Sequence, residues 1–284
     1  MIERITFRHG PILPGVEVLD AENSSRNWRW LNTGYSLAFS TSWVGQVQYR
    51  QHRLPVTPGT VFCSAPGEIH TTPRVDRCGT FHVLLFDADV FQTLARKLGS
   101  TTEVTWGPIV DNIAPTLGAR ALSVIRDIDT TSESLSLQSR LAEFFGDIAE
   151  SLFEVPVSLR AARGIPRRAA RIREVLHDGS PTTDLMSLAK EAGLDRFQTL
   201  RVFKRTYGIT PYAYQVCLRI SRARELLKQG FSPAAVAAEC DFADQSHLGR
   251  HFKRLVGVTP GQYKREPYTG STRTLESILG QPDR

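Results

Sequence analysis

The sequence predicts a two-domain α+β chain. A β-rich N-terminal domain closes into a small sandwich or barrel beside a helical pair, and an all-α C-terminal domain carries two similar helix-turn-helix units joined by a long helix. Three observations lead there. Short alternating apolar stretches broken by Gly and Pro fill roughly the first third, helical spacing fills the C-terminal half, and one twelve-residue pattern occurs twice near the end. Charge divides the same way: residues 1–159 hold 13 basic and 17 acidic side chains, residues 160–284 hold 22 and 12. The net charge of +6 over 284 residues is therefore −4 in one half and +10 in the other. A basic excess confined to one half suits a polyanion such as nucleic acid, although a solvated basic face gives the same count.

Composition excludes several classes. With 41% hydrophobic and 23% charged residues, the chain is neither disordered nor collagen-like. The longest uncharged stretch, Trp30 to Tyr49, is broken throughout by Ser, Thr, Gln, Asn and Gly, so no membrane span is expected. The opening MIERITFRHG has no signal-peptide pattern, which predicts a cytoplasmic protein. Cys63, Cys78, Cys217 and Cys240 form no C-x-x-C pair and no zinc spacing, so reduced, mostly buried thiols are expected, with no cofactor.

In chain order, GYSLAFS (34–40), VGQVQYR (44–50), TVFCSA (60–65) and TFHVLLF (80–86) alternate as strands do, and the PG pairs at 58–59 and 66–67 supply turns. His52, His70 and His82, with Glu68, are the candidate polar groups of an effector pocket, and HTTPR (70–74) a candidate pocket mouth. The same side chains are of metal-ligating type. Residues 117–153 return to helical spacing in two stripes split by TTSES (130–134), which fits an antiparallel pair that closes its own barrel or dimerises. LRAARGIPRRAAR (159–171) is short, basic and broken by Gly164 and Pro166; it reads as a linker (160–166) running into a helix.

The repeat is FKRTYGITPYAY at 203–214 and FKRLVGVTPGQY at 252–263. In the first copy Leu185, Leu188, Ala189 and Ala192 make one apolar stripe, Gly193 ends that helix, and Asp195 caps the next, Arg196 to Tyr207. Pro211 opens a long spacer carrying Leu218, Ala223, Leu226 and Leu227. In the second copy Ser232 and Pro233 start a helix with Val236, Ala237 and Cys240, and Asp244 to Leu255 form the second reading helix. Two helices joined by a tight turn, the second with outward basic and polar residues, is the plan that places a helix in the major groove. Arg201 and Arg250 suit a guanine edge, Gln198 and Gln245 an adenine, and His247 a base or phosphate. Lys204, Arg205, Lys253 and Arg254 lie nearer phosphates. The alternative for each matched arginine is a salt bridge to a neighbouring acid.

With its second-unit string AAECDFADQSHLGRHFKRLVGVTPGQY, the basic half resembles the DNA-binding domain of the AraC/XylS family of bacterial transcription regulators over residues 167–266. The resemblance implies base-contacting positions at Phe197, Leu200 and Arg201 and at Gln245, Ser246, His247, Gly249 and Arg250; Arg196 at the helix start joins that set. Thr199 stands where the family packs a Leu, which implies looser burial; Asp241 replaces the usual turn Gly; Gly249 offers no side chain. PGTVFCSAPGEIH (58–70) resembles part of the cupin barrel that serves such regulators as a sensor, though the H-x-H with a following Glu of metal cupins is absent. The expectation is a cupin-like effector-sensing domain (1–159), the linker, a double helix-turn-helix domain (167–268) and a tail (269–284). Its role would be a homodimeric regulator that binds double-stranded promoter DNA and a small-molecule effector, activating a nearby operon through RNA polymerase. The alternative is a metal-dependent cupin enzyme with a DNA-binding tail.

Overall fold

The computed structural model describes residues 2–9, 15–50, 52–97, 110–111, 120–124, 144, 166–178 and 184–265. Most of the helical stripes at 117–153, the linker at 160–165 and the tail at 269–284 lie outside the described residues. Among the described residues are ten strands: β1 (Arg4–His9), β2 (Val16–Ser24), β3 (Arg29–Leu31), β4 (Tyr35–Ser40), β5 (Val44–Tyr49), β6 (His52–Val56), β7 (Val61–Ser64), β8 (Ile69–Arg77), β9 (Gly79–Phe86) and β10 (Val110–Asp111). Helix α1 (Ala88–Lys97) follows β9. The C-terminal helices are α2 (Arg167–His177), α3 (Leu185–Ala192), α4 (Arg196–Tyr207), α5 (Pro211–Lys228), α6 (Pro233–Glu239), α7 (Gln245–Val256) and α8 (Pro260–Arg265).

These strands pair antiparallel, in two sheets ordered β1-β2-β9-β4-β7-β10 and β3-β8-β5-β6. The expected closed barrel is thus, among the described residues, two separate ladders. The β6 edge shows why: His52, Arg53 and Pro55 are exposed, and a proline without an N–H, beside charge, resists further pairing. Val47, Tyr49 and Val56 of the smaller sheet, with Trp43 just before β5, pack with Phe62, Ala38 and Phe81 of the larger one, which places the two sheets face to face. The other face of the larger sheet is also buried: Leu37 and Leu84 are fully covered, and Tyr35 meets Phe91 of α1 with ring centroids 4.1 Å apart.

The four strand expectations match β4, β5, β7 and β9 to within a residue or two. HTTPR belongs to strand β8, where Thr72 reaches the space between the sheets, with Pro73 at a register shift against β5. Strand β2 escapes an alternation reading because both faces are covered, and its polar residues find partners outside the strand. Arg8 reaches Asp20 at 2.7 Å and His82 Nδ1 meets the other Asp20 oxygen at 2.5 Å. Burial would raise the Asp20 carboxyl, but the His82 hydrogen bond and the Arg8 charge outweigh it and hold it below the usual range. Cys63, Cys217 and Cys240 are buried, and burial pushes their thiols up to about 12, 12 and 11, so they stay protonated and inert; Cys78 is exposed.

Candidate nucleic-acid interface

Each helix-turn-helix unit is set by caps legible in the chain. Asp184 accepts from Ser187 N at 2.7 Å to start α3, and Gly193 ends it at φ +62°. Asp195 accepts from Gln198 N at 2.8 Å while Gln198 Oε1 accepts from Asp195 N at 3.3 Å, a capping box on α4. Asp244 repeats the cap on α7, accepting from His247 N at 2.6 Å; such caps contribute about 1 kcal/mol each. Inside the first unit Phe203, Tyr207 and Tyr214 pack together, with centroids 4.6 to 5.9 Å apart. In the second unit Phe252 takes the equivalent place against Tyr263 at 5.5 Å. Thr199 is fully buried and its hydroxyl donates to Asp195 O at 2.8 Å, so the looser burial expected there is corrected: the smaller side chain is covered and its hydroxyl is satisfied within its own helix.

The outward faces are what a groove-reading helix needs. Arg196, Phe197, Gln198, Arg201 and Lys204 on α4 are exposed and Leu200 is half-buried; on α7 Gln245, Ser246, Arg250 and Lys253 are exposed and His247 half-buried. Phe197 keeps 74% of its surface in solvent, a large apolar exposure between two arginines. Arg201 and Arg250 have no side-chain partner among the described residues, so the salt-bridge alternative finds no acid there and both forks are free to donate. Two side chains are partly committed: Gln198 to its cap, and His247, whose Nδ1 accepts from Ala243 N at 3.3 Å. In the turn before α7, Asp241 takes φ +55°, and Arg219 of α5 donates to its carbonyl at 3.0 Å.

On the β-rich side the three histidines do not converge. His52 is exposed on β6, His82 faces away from the inter-sheet space beside Asp20, and His70 on β8 lies edge-on to Phe62 at 5.0 Å. None lines the cavity between the sheets; for His82 the reason is the pleat, since its neighbour Phe81 points in and His82 must therefore point out. Glu68 is held by Arg50 at 2.6 Å. Among the described residues no group of three or more His, Cys, Asp or Glu is placed to hold a metal. The cavity itself, about 60 Å³, is lined by Trp28, Trp43, Val47, Val56, Phe62 and Phe81, with Thr60 and Thr72.

Burial pushes His70 down to about 4, and its Nδ1 is buried without a partner among the described residues. The unfolded chain then takes up a proton between about pH 6.5 and 4 that the folded chain refuses, so stability falls as pH drops through that window and levels off below it. Thermal midpoints at pH 7.5 and 5.0 should therefore fall further for the native chain than for His70→Gln; equal falls would remove His70 as the cause.

The two halves meet through buried charge. Arg224 of α5 donates to Glu17 Oε2 of β2 at 2.5 Å, Lys228 reaches the same oxygen at 3.3 Å, and Tyr263 OH donates to Glu17 Oε1 at 2.7 Å. The Arg224 guanidinium lies 4.7 Å over the Trp30 ring. A cleft of about 210 Å³ opens beside this cluster, lined from both halves by Tyr35, Asp87, Lys228 and Gln229 among others.

Comparison with known proteins agrees with this architecture. Residues 13–145 match the family described as AraC-like ligand binding domain, and residues 188–266 the Helix-turn-helix domain family. The chain belongs to the AraC family. The HTH-type transcriptional regulator MtrA of Neisseria gonorrhoeae is 31% identical over 96 residues, 34% of this chain and 32% of that protein. The RCS-specific HTH-type transcriptional activator RclR of Escherichia coli K12 is 31% identical over 100 residues, 35% of each. The match thus spans about a third of the length of these curated relatives. The crystal structure of an apo point variant of ToxT from Vibrio cholerae shares the fold at a TM-score of 0.55 and 13% identity, covering 89% of this chain and 97% of that one. Unsaturated fatty acid bound wild-type ToxT gives 0.51 and 14%, covering 96% and 100%.

In this AraC-family chain the sequence reading missed Glu17, Arg224, Tyr263 and Arg219. A signal for one was present: Cys217, Ile220, Arg224 and Leu227 fall at helical spacing on the buried face of α5, so a cation sits in an apolar stripe. Its carboxylate partner lies 207 residues away, where no local pattern could supply it.

Proposed function

We propose that this chain is a sequence-specific DNA-binding transcription regulator, α4 and α7 each reading a major-groove segment. The observation that carries the reading is the pair of exposed guanidiniums, Arg201 and Arg250, at matched positions on two capped helices joined by one spacer. Phe197 suits a thymine methyl, and Lys204 and Lys253, further along their helices, suit phosphates. Selection from a random DNA pool, followed by competition binding, tests the reading. Arg250→Ala should cost about 1 to 3 kcal/mol and relax preference at one base position, whereas Lys204→Ala should weaken all sequences alike and lower the salt slope by about one. Uniform loss from both would sink the base-reading assignment.

The β-rich domain takes the role of effector sensor, with a cupin-like sandwich as its frame. Its inter-sheet cavity has an aromatic and aliphatic lining, which suits an uncharged or largely apolar effector; a structural neighbour, ToxT, was solved with unsaturated fatty acid bound. At about 60 Å³ it is well below the roughly 300 Å³ of a typical ligand pocket, so binding requires the sheets or side chains to part. His52, His70 and His82 have no place in the lining of that cavity. Activation of a nearby operon through RNA polymerase and dimerisation through residues 117–153 complete the proposal; sedimentation of the full chain and a reporter assay address them. Metal analysis separates it from the cupin-enzyme alternative, which requires stoichiometric iron, manganese or zinc.

A further inference from the structure

The β-rich domain grips the C-terminal domain at both ends of α5. At its start, Tyr214 OH, which shares a hydrogen bond with His177 at 2.9 Å, also donates to Gly67 O at 3.1 Å, tying the first unit to the β7–β8 turn. At its end the Glu17 cluster ties β2 to the spacer through Arg224 and to α8 through Tyr263, and Arg224 Nε also donates to Tyr263 OH at 3.2 Å. The second unit is held again at the last turn of its reading helix. There Arg26, itself ion-paired to Glu3 at 3.0 Å, donates to Lys253 O at 2.9 Å, and Gly257 ends α7 at φ +97° so close to Ile5 that an added Cβ would collide with its Cδ1. These ties engage both ends of α5, α8 and the far end of α7, and leave the outward residues of α4 and α7 exposed.

Apart from this brace, α5 is what joins the two units among the described residues. Linked modules gain affinity from each other only when the span between them matches the target, a gain of about 10²- to 10⁴-fold that vanishes when geometry forbids joint engagement. A buried charged cluster is directional, unlike an apolar contact, so it selects one register of β2 against α5 and α8. Resting on the DNA-binding reading above, we propose that Glu17 is a positioning residue for DNA recognition. Through Arg224 and Tyr263 it sets the separation and rotation of the two reading helices, and so the half-site spacing the chain accepts.

The test uses the full chain and the DNA sequence it selects from a random pool, remade with one base pair added or removed between the half-sites. The native chain should lose about tenfold or more on either change, while Glu17→Gln and Tyr263→Phe should lose about threefold or less. Tyr263→Phe removes one hydroxyl and keeps the ring, so it decides the matter if Glu17→Gln does not fold. Spacing discrimination equal to the native chain's in a folded variant overturns the proposal. So does a loss of affinity that is the same at every spacing, which is what general destabilisation produces. If the native chain selects no sequence at all, the DNA-binding reading fails and takes this one with it.

Discussion

Arg224→Ala is expected to destabilise the protein by about 3 to 5 kcal/mol, measured as a fall in the urea midpoint. Arg224 and Glu17 are 6% and 3% exposed, so removing the guanidinium takes the shortest ionic partner from a carboxylate held in the interior, where Tyr263 and Lys228 also reach it. The large effect is the penalty of the stranded charge rather than the net worth of the pair. Removing both charges together, as in Arg224→Met with Glu17→Leu, should therefore recover most of the loss, to within about 1 kcal/mol of the native chain. A loss below about 1 kcal/mol for Arg224→Ala alone would mean that the cluster is solvated. The pH sign agrees with this picture. Burial and then the Glu17 carboxylate push Tyr263 far above its ordinary range, while for Lys228 burial is outweighed by Glu17, which raises it. The unfolded chain loses both protons first, so the cluster's contribution is intact below about pH 10 and declines above it.

Phe203→Ala and Phe252→Ala should each cost about 3 to 5 kcal/mol in the unit that holds them. Both rings are fully buried, at matched positions of the repeat, and each leaves a void beside aromatic neighbours too rigid to fill it. Hydrogen exchange resolves the two units. Phe203→Ala should lower protection first in residues 185–207 and Phe252→Ala first in residues 233–256, and both should reach α5, against which the two units pack. A loss confined to one unit in either variant would show that the spacer does not couple them.

The C-terminal half was legible because its information is local. The cap at Asp195, the starts at Pro211 and at Ser232 and Pro233, and the stop at Gly193 act within one turn of where they stand, and the boundaries predicted from them fall within a residue; the second reading helix, expected over Asp244 to Leu255, runs from Gln245 to Val256. The β-rich half was legible only where a strand alternates on one covered face. Strand β2, not among the predicted strands, carries Glu17 and Asp20, which Arg224 from one direction and Arg8 with His82 from another neutralise. The histidines lie outside the inter-sheet cavity for a related reason. Residue type named them as pocket groups, but the pleat turns His82 away from the cavity, and His52 lies on an exposed edge.

The sequence by itself determined the two halves, the repeat and the outward polar and basic faces of α4 and α7, since charge balance, caps and helical spacing are properties of neighbouring residues. The tertiary structure alone decided which groups line the inter-sheet cavity and how the halves are joined. Those answers depend on pairs such as Glu17 with Arg224, whose attraction is strong only where folding has excluded water and which the chain separates by 207 residues.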